Sequence, residues 1–537
     1  MNPMRDVVIV GGGLAGLTLA LQLRQRSREL TITVLERRPH PVPEAAHKVG
    51  ESSVEIGSHY FDSVLGLRDH LDTSQLRKFG FRFFFSDGRR DIDRVTELGP
   101  SGFLTTPTYQ IDRGIFENHL GERALAAGID FRAGASVRRI DLATDGSPHS
   151  VQFRHQDQSA HLSAHWLIDA SGRAGLLKRQ LGLARSNEHD VNAIWFRIGA
   201  RIDVGAWSSD TDWLRRCDPP HRWLSTNHLC GTGYWVWLIP LSSGSHSVGI
   251  VADGHTHPLR DLNTFEKALA WMHQHQPRLA DELEGHRDRL QDFMVCEHFS
   301  HDCAQCFSSN RWAMTGDAGV FLDPFYSPGS DFIAIANTYI TELIMRDRAG
   351  EPLASLARIY EQFYRSFYES TLSLFIDQYD LFGQPEVMAT KVIWDYTYYW
   401  GVLCQLFFQQ RLADISTLGR VRTELMACMQ LNFAMQRLFR AWGSSSDAHN
   451  PPVLLDQSRL DWFADLNRGL RDPLDTAAFI ARLRANGAQL AGLAREIAHL
   501  AGARHSSLDA NEVLRHADSI ATAPLQPPTA MLFPQVA

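Results

Sequence analysis

Val7-Val8-Ile9-Val10-Gly11-Gly12-Gly13-Leu14-Ala15-Gly16 is the stretch on which the fold turns. The four apolar residues read as a buried strand, the glycines as a turn, and residues 14–24 as a helix. A second strand over residues 30–35 ends at Glu36, so the chain opens with a strand–helix–strand unit and a parallel sheet is expected. Each glycine of Gly11-x-Gly13-x-x-Gly16 has a physical task in holding a dinucleotide. Gly11 permits the tight turn out of the strand. Gly13 lets the backbone approach a pyrophosphate on the helix N-terminus, where Ala15 also lies, and Gly16 allows close helix–sheet packing. Glu36, twenty residues past Gly16 and followed by Arg37, stands where a carboxylate meets ribose hydroxyls. The bland alternative is an incidental glycine-rich turn; the acid at the next strand end argues against it.

Further strands are expected at residues 79–85, 150–153, 166–170, 193–202, 234–238, 247–251 and 312–315. Alternation dominates 80–110 and 190–300, which predicts a second lobe on a largely antiparallel sheet. After Ile333 strand signals vanish and apolar residues recur at helical spacing, as in Leu356, Ile359, Tyr360 and Phe363. The fold class is therefore α/β: a Rossmann-type nucleotide domain, a mixed or antiparallel-sheet substrate lobe and a helical C-terminal region. The expected divisions are a core over 1–345 with the sheet lobe inserted at roughly 60–110 and 190–300, helical regions at 346–445 and 446–522, and a flexible tail at 523–537.

The 537 residues are 44% hydrophobic and 21% charged, which excludes wholesale disorder. A net charge of −8 gives no general attraction for nucleic acid or an anionic membrane. No apolar run is long enough to span a bilayer, and the N-terminus has no secretory pattern. Seven sparse cysteines point to a reducing, cytoplasmic setting. Cys296, His298, His301, Cys303 and Cys306 crowd together, but no second Cys-x-x-Cys completes a zinc site, so no metal is expected.

Two distal segments bear on which dinucleotide is held. Trp166-Leu167-Ile168-Asp169-Ala170-Ser171-Gly172 and Arg311-Trp312-Ala313-Met314-Thr315-Gly316-Asp317-Ala318 are strands ending in Asp-x-Ser-Gly and Gly-Asp-Ala. Both resemble motifs of FAD-dependent monooxygenases, which implies FAD with Asp317 on its ribityl chain. Tyr109-Gln110-Ile111-Asp112-Arg113 resembles the segment of those enzymes that meets the FAD phosphates, which implies that role for Arg113. No second Gly-x-Gly-x-x-Gly occurs in a strand–helix context, which points to a separate flavin reductase as partner, although some relatives take hydride from NADPH without a dedicated domain.

Within that superfamily the chain resembles the flavin-dependent halogenases, specifically the tryptophan-halogenase-like branch. The likeness rests on Lys48-Val49-Gly50-Glu51-Ser52, on Trp235-Val236-Trp237-Leu238-Ile239-Pro240, on Phe321-Leu322-Asp323-Pro324-Phe325-Tyr326-Ser327-Pro328-Gly329, and on Lys78 in Leu76-Arg77-Lys78-Phe79. The resemblance implies that Glu51, Ser52, Pro324 and Gly329 lie at the flavin, and that Trp235, Trp237 and Tyr326 border the substrate. It also implies that a flavin hydroperoxide oxidises halide and that Lys78 holds the hypohalous product beside an electron-rich ring. A compact ammonium suits that task, though a lysine at a strand start is ordinarily solvated.

Two departures favour a phenolic or pyrrolic aromatic, free or carrier-tethered, over free tryptophan, and keep an aromatic hydroxylase as the alternative. Tyr326 stands where tryptophan halogenases carry a glutamate, and Pro328 has no N–H to offer a halide. A third reading is a flavoprotein without catalysis that holds a partner. The aromatic helical segment at 350–445 reads as packing over the substrate opening, with a docking surface as the alternative.

Overall fold

The computed structural model describes residues 4–44, 49–444, 449–520 and 531–533. The chain forms two compact units, one from residues 1–75, 111–188 and 300–368, the other from 76–110, 189–299 and 369–537.

The first unit is built on a seven-stranded sheet. Asp130–Ala133, Ile32–Glu36, Met4–Val10 and Gln158–Asp169 run in that order, all parallel, and Trp312–Met314 also pairs in parallel with the last. His149–His155 and Ser136–Asp141 extend it antiparallel. Val7, Val8 and Ile9 are fully buried, as a continuous apolar strand covered on both faces must be. The helix Leu14–Arg26 continues one half-turn past its expected end, and the second strand is Ile32–Glu36.

The second unit carries an eight-stranded sheet in the order Leu290–Cys296, Val191–Ile198, His246–Asp253, Tyr234–Pro240, Thr226–Gly231, Phe81–Phe84, Glu97–Gly99 and Leu454–Asp456. Most pairs are antiparallel; Thr226–Gly231 with Phe81–Phe84 and Leu454–Asp456 with Glu97–Gly99 are parallel. Alternation sorts its faces. Tyr234, Val236 and Leu238 join Phe196, Val248 and Ile250 in a core closed by the helices Phe265–His275 and Pro277–Glu284. Trp235 and Trp237 occupy the opposite face, also buried.

Long helices complete this unit: Pro385–Tyr398, Arg422–Gly443 and Thr476–Arg504. Among them a polar network is buried. Lys391 donates to Asp395 Oδ2 at 2.5 Å and to Gln436 Oε1 at 3.0 Å, and Gln436 donates in turn to Asp395 and Asn432.

Three expectations change. Strands do not end at Ile333, because Leu454–Asp456 pairs with Glu97–Gly99; three residues are too few to show a period. The helical region expected at 446–522 holds that strand and three helices of eight or more residues among the described residues, Asp461–Arg468, Thr476–Arg504 and Asn511–Ile520. Of the expected flexible tail only Met531–Phe533 is described. It is buried, with the Met531 and Leu532 N–H groups donating to the Glu496 carboxylate at 3.0 and 3.1 Å.

Candidate functional site

The nucleotide cradle belongs to the first unit. The Gly11 N–H closes on Leu35 O at 2.8 Å and its φ is +111°. A Cβ there would stand 2.2 Å from Ala170 O, and one on Gly16 would stand 1.9 Å from Gly11 O. Only glycine fits either place. Gly13 begins the helix, whose first-turn N–H groups precede the hydrogen-bond ladder. Glu36 Oε2 accepts from Gly12 N–H at 2.6 Å and Oε1 from Arg38 N–H at 2.8 Å, so its carboxylate is fixed at the mouth of the turn. Arg37 beside it is exposed.

The Gly316–Ala318 turn closes on the same cradle. Gly316 has φ +63°, and a Cβ on it would lie 3.0 Å from the Ala15 Cβ. Asp317 is half-buried, and its carbonyl accepts from the His301 ring Nε2 at 3.0 Å. Behind both turns sits Asn337, fully buried. It donates to Ala15 O at 3.2 Å, to Thr18 Oγ1 and to the Tyr60 hydroxyl, and receives Thr315 Oγ1 at 2.7 Å. Nothing in the sequence marks this residue, since a single asparagine in an apolar helix has no pattern.

Arg113 opens the helix Arg113–Ala126, donating to Val49 O at 2.7 Å and to Glu117 Oε1 at 2.6 Å. It thereby ties that helix to the turn carrying Glu51 and Ser52, both buried, and Glu51 O accepts from Ile111 N–H. Lys48, part of the same motif, lies outside the described residues. The Asp112 carboxylate is buried at the head of this helix with neither oxygen hydrogen-bonded.

Pro324 and Tyr326 lead into the helix Gly329–Arg348. Tyr326 is half-buried with its ring edge-on to Phe325 at 4.7 Å. Ser327 has φ +53°, and Pro328 is the residue that caps the helix. The first ladder bond is Phe332 N–H to Pro328 O at 3.0 Å. The N–H groups of Gly329, Ser330 and Asp331 therefore stand ahead of the ladder. Pro328 contributes the first accepting carbonyl, and its missing N–H leaves those three in place. Gly329 is exposed and a Cβ on it would meet nothing within 4 Å, so there is open room before this helix end.

An FAD fits these residues. The glycine turn leaves room for a pyrophosphate at the helix N-terminus, Glu36 sets a carboxylate at its mouth, and Asp317 lies on the Gly316–Ala318 turn that abuts Ala15.

Lys78, Trp235 and Trp237 belong to the second unit. Lys78 lies in the link between Leu76–Arg77 and Phe81–Phe84, anchored by its N–H on Thr108 O at 2.8 Å. Against the ordinary expectation for lysine it is 4% exposed, with its Nζ 3.4 Å from the centre of the Phe81 ring. Phe81 meets His228 edge-on at 5.2 Å, and His228 stacks on Phe83 at 4.6 Å and leans on Trp235 at 5.3 Å. Trp235 and Trp237 are 5.7 Å apart; their indole N–H groups donate to the Tyr379 hydroxyl and Ser247 Oγ, each at 3.1 Å. Tyr396 adds a further ring 6.1 Å from Phe81.

The FAD binding domain family model matches residues 4–247. The flavin-dependent halogenase chlA of Dictyostelium discoideum is 24% identical over 468 residues, covering 79% of this chain and 76% of that protein. The 1H-pyrrole-2-carbonyl-(peptidyl-carrier protein) chlorinase of Pseudomonas fluorescens is 26% identical over 335 residues, covering 60% of this chain and 72% of its own. Among solved structures, the halogenase PltM superposes with a TM-score of 0.64 at 17% identity, covering 91% of this chain and 96% of that one. An FAD-dependent oxidoreductase is the class that the cradle and these matches define. Within that class the chain is similar to flavin-dependent halogenases over most of its length.

Proposed function

We propose that the protein halogenates an electron-rich phenolic or pyrrolic ring, with Lys78 directing the oxidised halogen. The observation that carries this reading is the buried Lys78 ammonium held over the Phe81 ring, which itself meets His228 and Tyr396. A desolvated amine beside aromatic walls donates strongly and is shielded from water, which would otherwise consume the electrophile. FAD, when bound and reduced, supplies the oxygen activation that converts halide to an electrophile.

The chain's own residues do the rest. Glu36 and Arg113 hold the nucleotide, Asp317 orients its ribityl chain, and Glu51, Ser52 and Pro324 shape the flavin surroundings. The N–H groups ahead of the Gly329–Arg348 ladder bind the halide at the positive end of a twenty-residue helix. Lys78 holds the hypohalous acid by N–H donation and polarises it toward the ring. Trp235 and Trp237 border the substrate in the unit that carries Lys78.

Two curated relatives act on pyrrole-2-carbonyl groups carried by a peptidyl-carrier protein, which supports a carrier-tethered substrate here. A separate flavin reductase supplies reduced flavin, and a reducing cytoplasm suits the seven free thiols.

The hydroxylase reading rests on Tyr326 and Pro328, and it loses part of its motive because the Gly329 and Ser330 N–H groups follow the proline ahead of the helix ladder. The test is product mass. Protein given reduced FAD, oxygen, bromide and a carrier-bound pyrrole-2-carbonyl group, with a free phenol in parallel, is expected to add bromine to one of them. Gain of oxygen with no halogen at any halide concentration would establish the hydroxylase instead.

A further inference from the structure

The Cys-x-x-Cys at Cys303 and Cys306, unassigned by the halogenase reading, lies in the first unit against the Gly316–Gly319 turn. Its backbone is held at both ends. Cys303 pairs in a short ladder with Ala184, and its carbonyl accepts from the Arg365 guanidinium. Cys306 N–H donates to Glu361 Oε2 at 2.8 Å, and Cys306 O accepts from Met314 N–H at 2.9 Å. Both side chains are buried. The Cys306 Sγ lies 3.2 Å from where a Gly319 Cβ would stand, so this thiol touches the turn that carries Asp317. Lys178 reaches the same place, donating from Nζ to Gly319 O at 2.8 Å and interacting electrostatically with both sulfurs.

We infer that Cys303 and Cys306 form a redox-active dithiol that reacts with peroxide released at the flavin and closes to a disulfide beside the Gly316–Gly319 turn. The oxidant is hydrogen peroxide, which reduced flavins shed when they react with oxygen without transferring it. The two sulfurs are unequal. Cys303 Sγ donates to Gln305 O at 3.2 Å, and the neighbouring Cys306 thiol, Gln305 and the Lys178 ammonium hold Cys303 below its ordinary value against burial, while the Cys303 side chain and burial push Cys306 well up. Cys303 is thus the attacking thiolate and Cys306 the resolving thiol.

Cys303 sulfur attacks one peroxide oxygen, the O–O bond breaks, and the departing hydroxide is protonated to water, leaving a sulfenic acid. Cys306 sulfur then attacks Cys303 sulfur; the S–S bond forms and the sulfenic oxygen leaves as a second water. Two thiols lose two protons and two electrons, and one peroxide becomes two waters. The remaining five cysteines stand outside any Cys-x-x-Cys: Cys217, Cys230 and Cys428 are thiols raised by burial, Cys404 is buried within the helical region, and Cys296 is half-buried.

The test treats the full-length, FAD-loaded protein with increasing hydrogen peroxide, blocks free thiols, and maps every cysteine by peptide mass. The expected result is a Cys303–Cys306 peptide lighter by two hydrogens while Cys296 and the other cysteines stay alkylatable. In Cys306→Ser, Cys303 is expected to be trapped by dimedone as a sulfenic acid; in Cys303→Ser, Cys306 is expected to stay a free thiol. The inference is overturned if both thiols remain alkylatable at peroxide levels that oxidise Cys296. It is equally overturned if Cys303→Ser leaves Cys306 as readily oxidised as before.

Discussion

Glu36 accepts from two backbone N–H groups at the glycine turn, and in the proposed reading the same carboxylate meets the FAD ribose. Glu36→Gln keeps the shape and gives up charge-assisted bonds, which are stronger than neutral ones by about 1 kcal/mol. FAD affinity, read by fluorescence titration, is expected to weaken roughly ten-fold, and the weakened bonds to the turn are expected to lower folding stability by about 1 kcal/mol. Phe81→Leu removes the ring beneath Lys78. A desolvated cation–π contact of about 1 kcal/mol predicts a loss of roughly five-fold in ring halogenation, largely restored in Phe81→Tyr. At this scale legibility was uneven. Glycines whose Cβ would strike backbone, such as Gly11 and Gly16, announce themselves by type and spacing, and Lys78 stands out beside a strand. Its ring partner is three residues on, across an irregular link where no periodicity operates, and Asn337 is decided wholly by tertiary contacts.

Short elements carry charge that the pattern of the sequence hides. Glu97, on the three-residue strand Glu97–Gly99, is fully buried between Arg82 and Arg222, with Arg222 Nε 2.8 Å from Glu97 Oε1 and its guanidinium 3.9 Å above Trp213. Burial pushes the Glu97 carboxyl up, but the two arginines outweigh it and hold it below its ordinary 4.5. Its stabilisation is therefore complete above that value and lost as pH falls through the lower, folded one. Glu97→Gln leaves two buried guanidinium groups uncompensated and is expected to cost about 3–5 kcal/mol, measured by urea unfolding at neutral pH.

A histidine pair in the first unit titrates in a different window. His70 stacks on His119 at 4.0 Å, and burial together with that neighbour lowers its value from 6.5 to about 4. The folded state keeps His70 neutral, so stability is full above 6.5 and declines from there toward 4. His70→Phe should flatten that part of the stability–pH curve; an unchanged slope would remove His70 from the account. Elements of two or three residues, such as Leu76–Arg77 or Leu454–Asp456, were not legible because they span less than one full alternation. Longer strands such as Tyr234–Pro240 were legible.

At the scale of the molecule, the last hundred residues belong structurally to the unit that carries Lys78. Leu454–Asp456 completes its sheet, and Thr476–Arg504 buries Phe479, Leu483, Leu490, Leu493 and Ile497. Removing everything after Pro452 exposes the surfaces those five side chains cover, worth about 10 kcal/mol at 2 kcal/mol each. The truncated protein is expected to aggregate on expression, and a soluble product with the native melting temperature would contradict this. The sequence separated a nucleotide core from a sheet lobe because periodicity changes between them. It could not assign the C-terminal helices, because helical spacing says which face is apolar and leaves open what covers it.

The most direct measurement compares wild type with Lys78→Ala, given reduced FAD, oxygen and bromide. Ring bromination is followed by mass spectrometry, and freely diffusing oxidised bromine is caught by a small scavenger in the same tube. The expected result is that Lys78→Ala still consumes oxygen and brominates the scavenger while ring product falls at least a hundred-fold, about 3 kcal/mol of lost transition-state stabilisation. Ring bromination by Lys78→Ala at the wild-type rate would contradict the account.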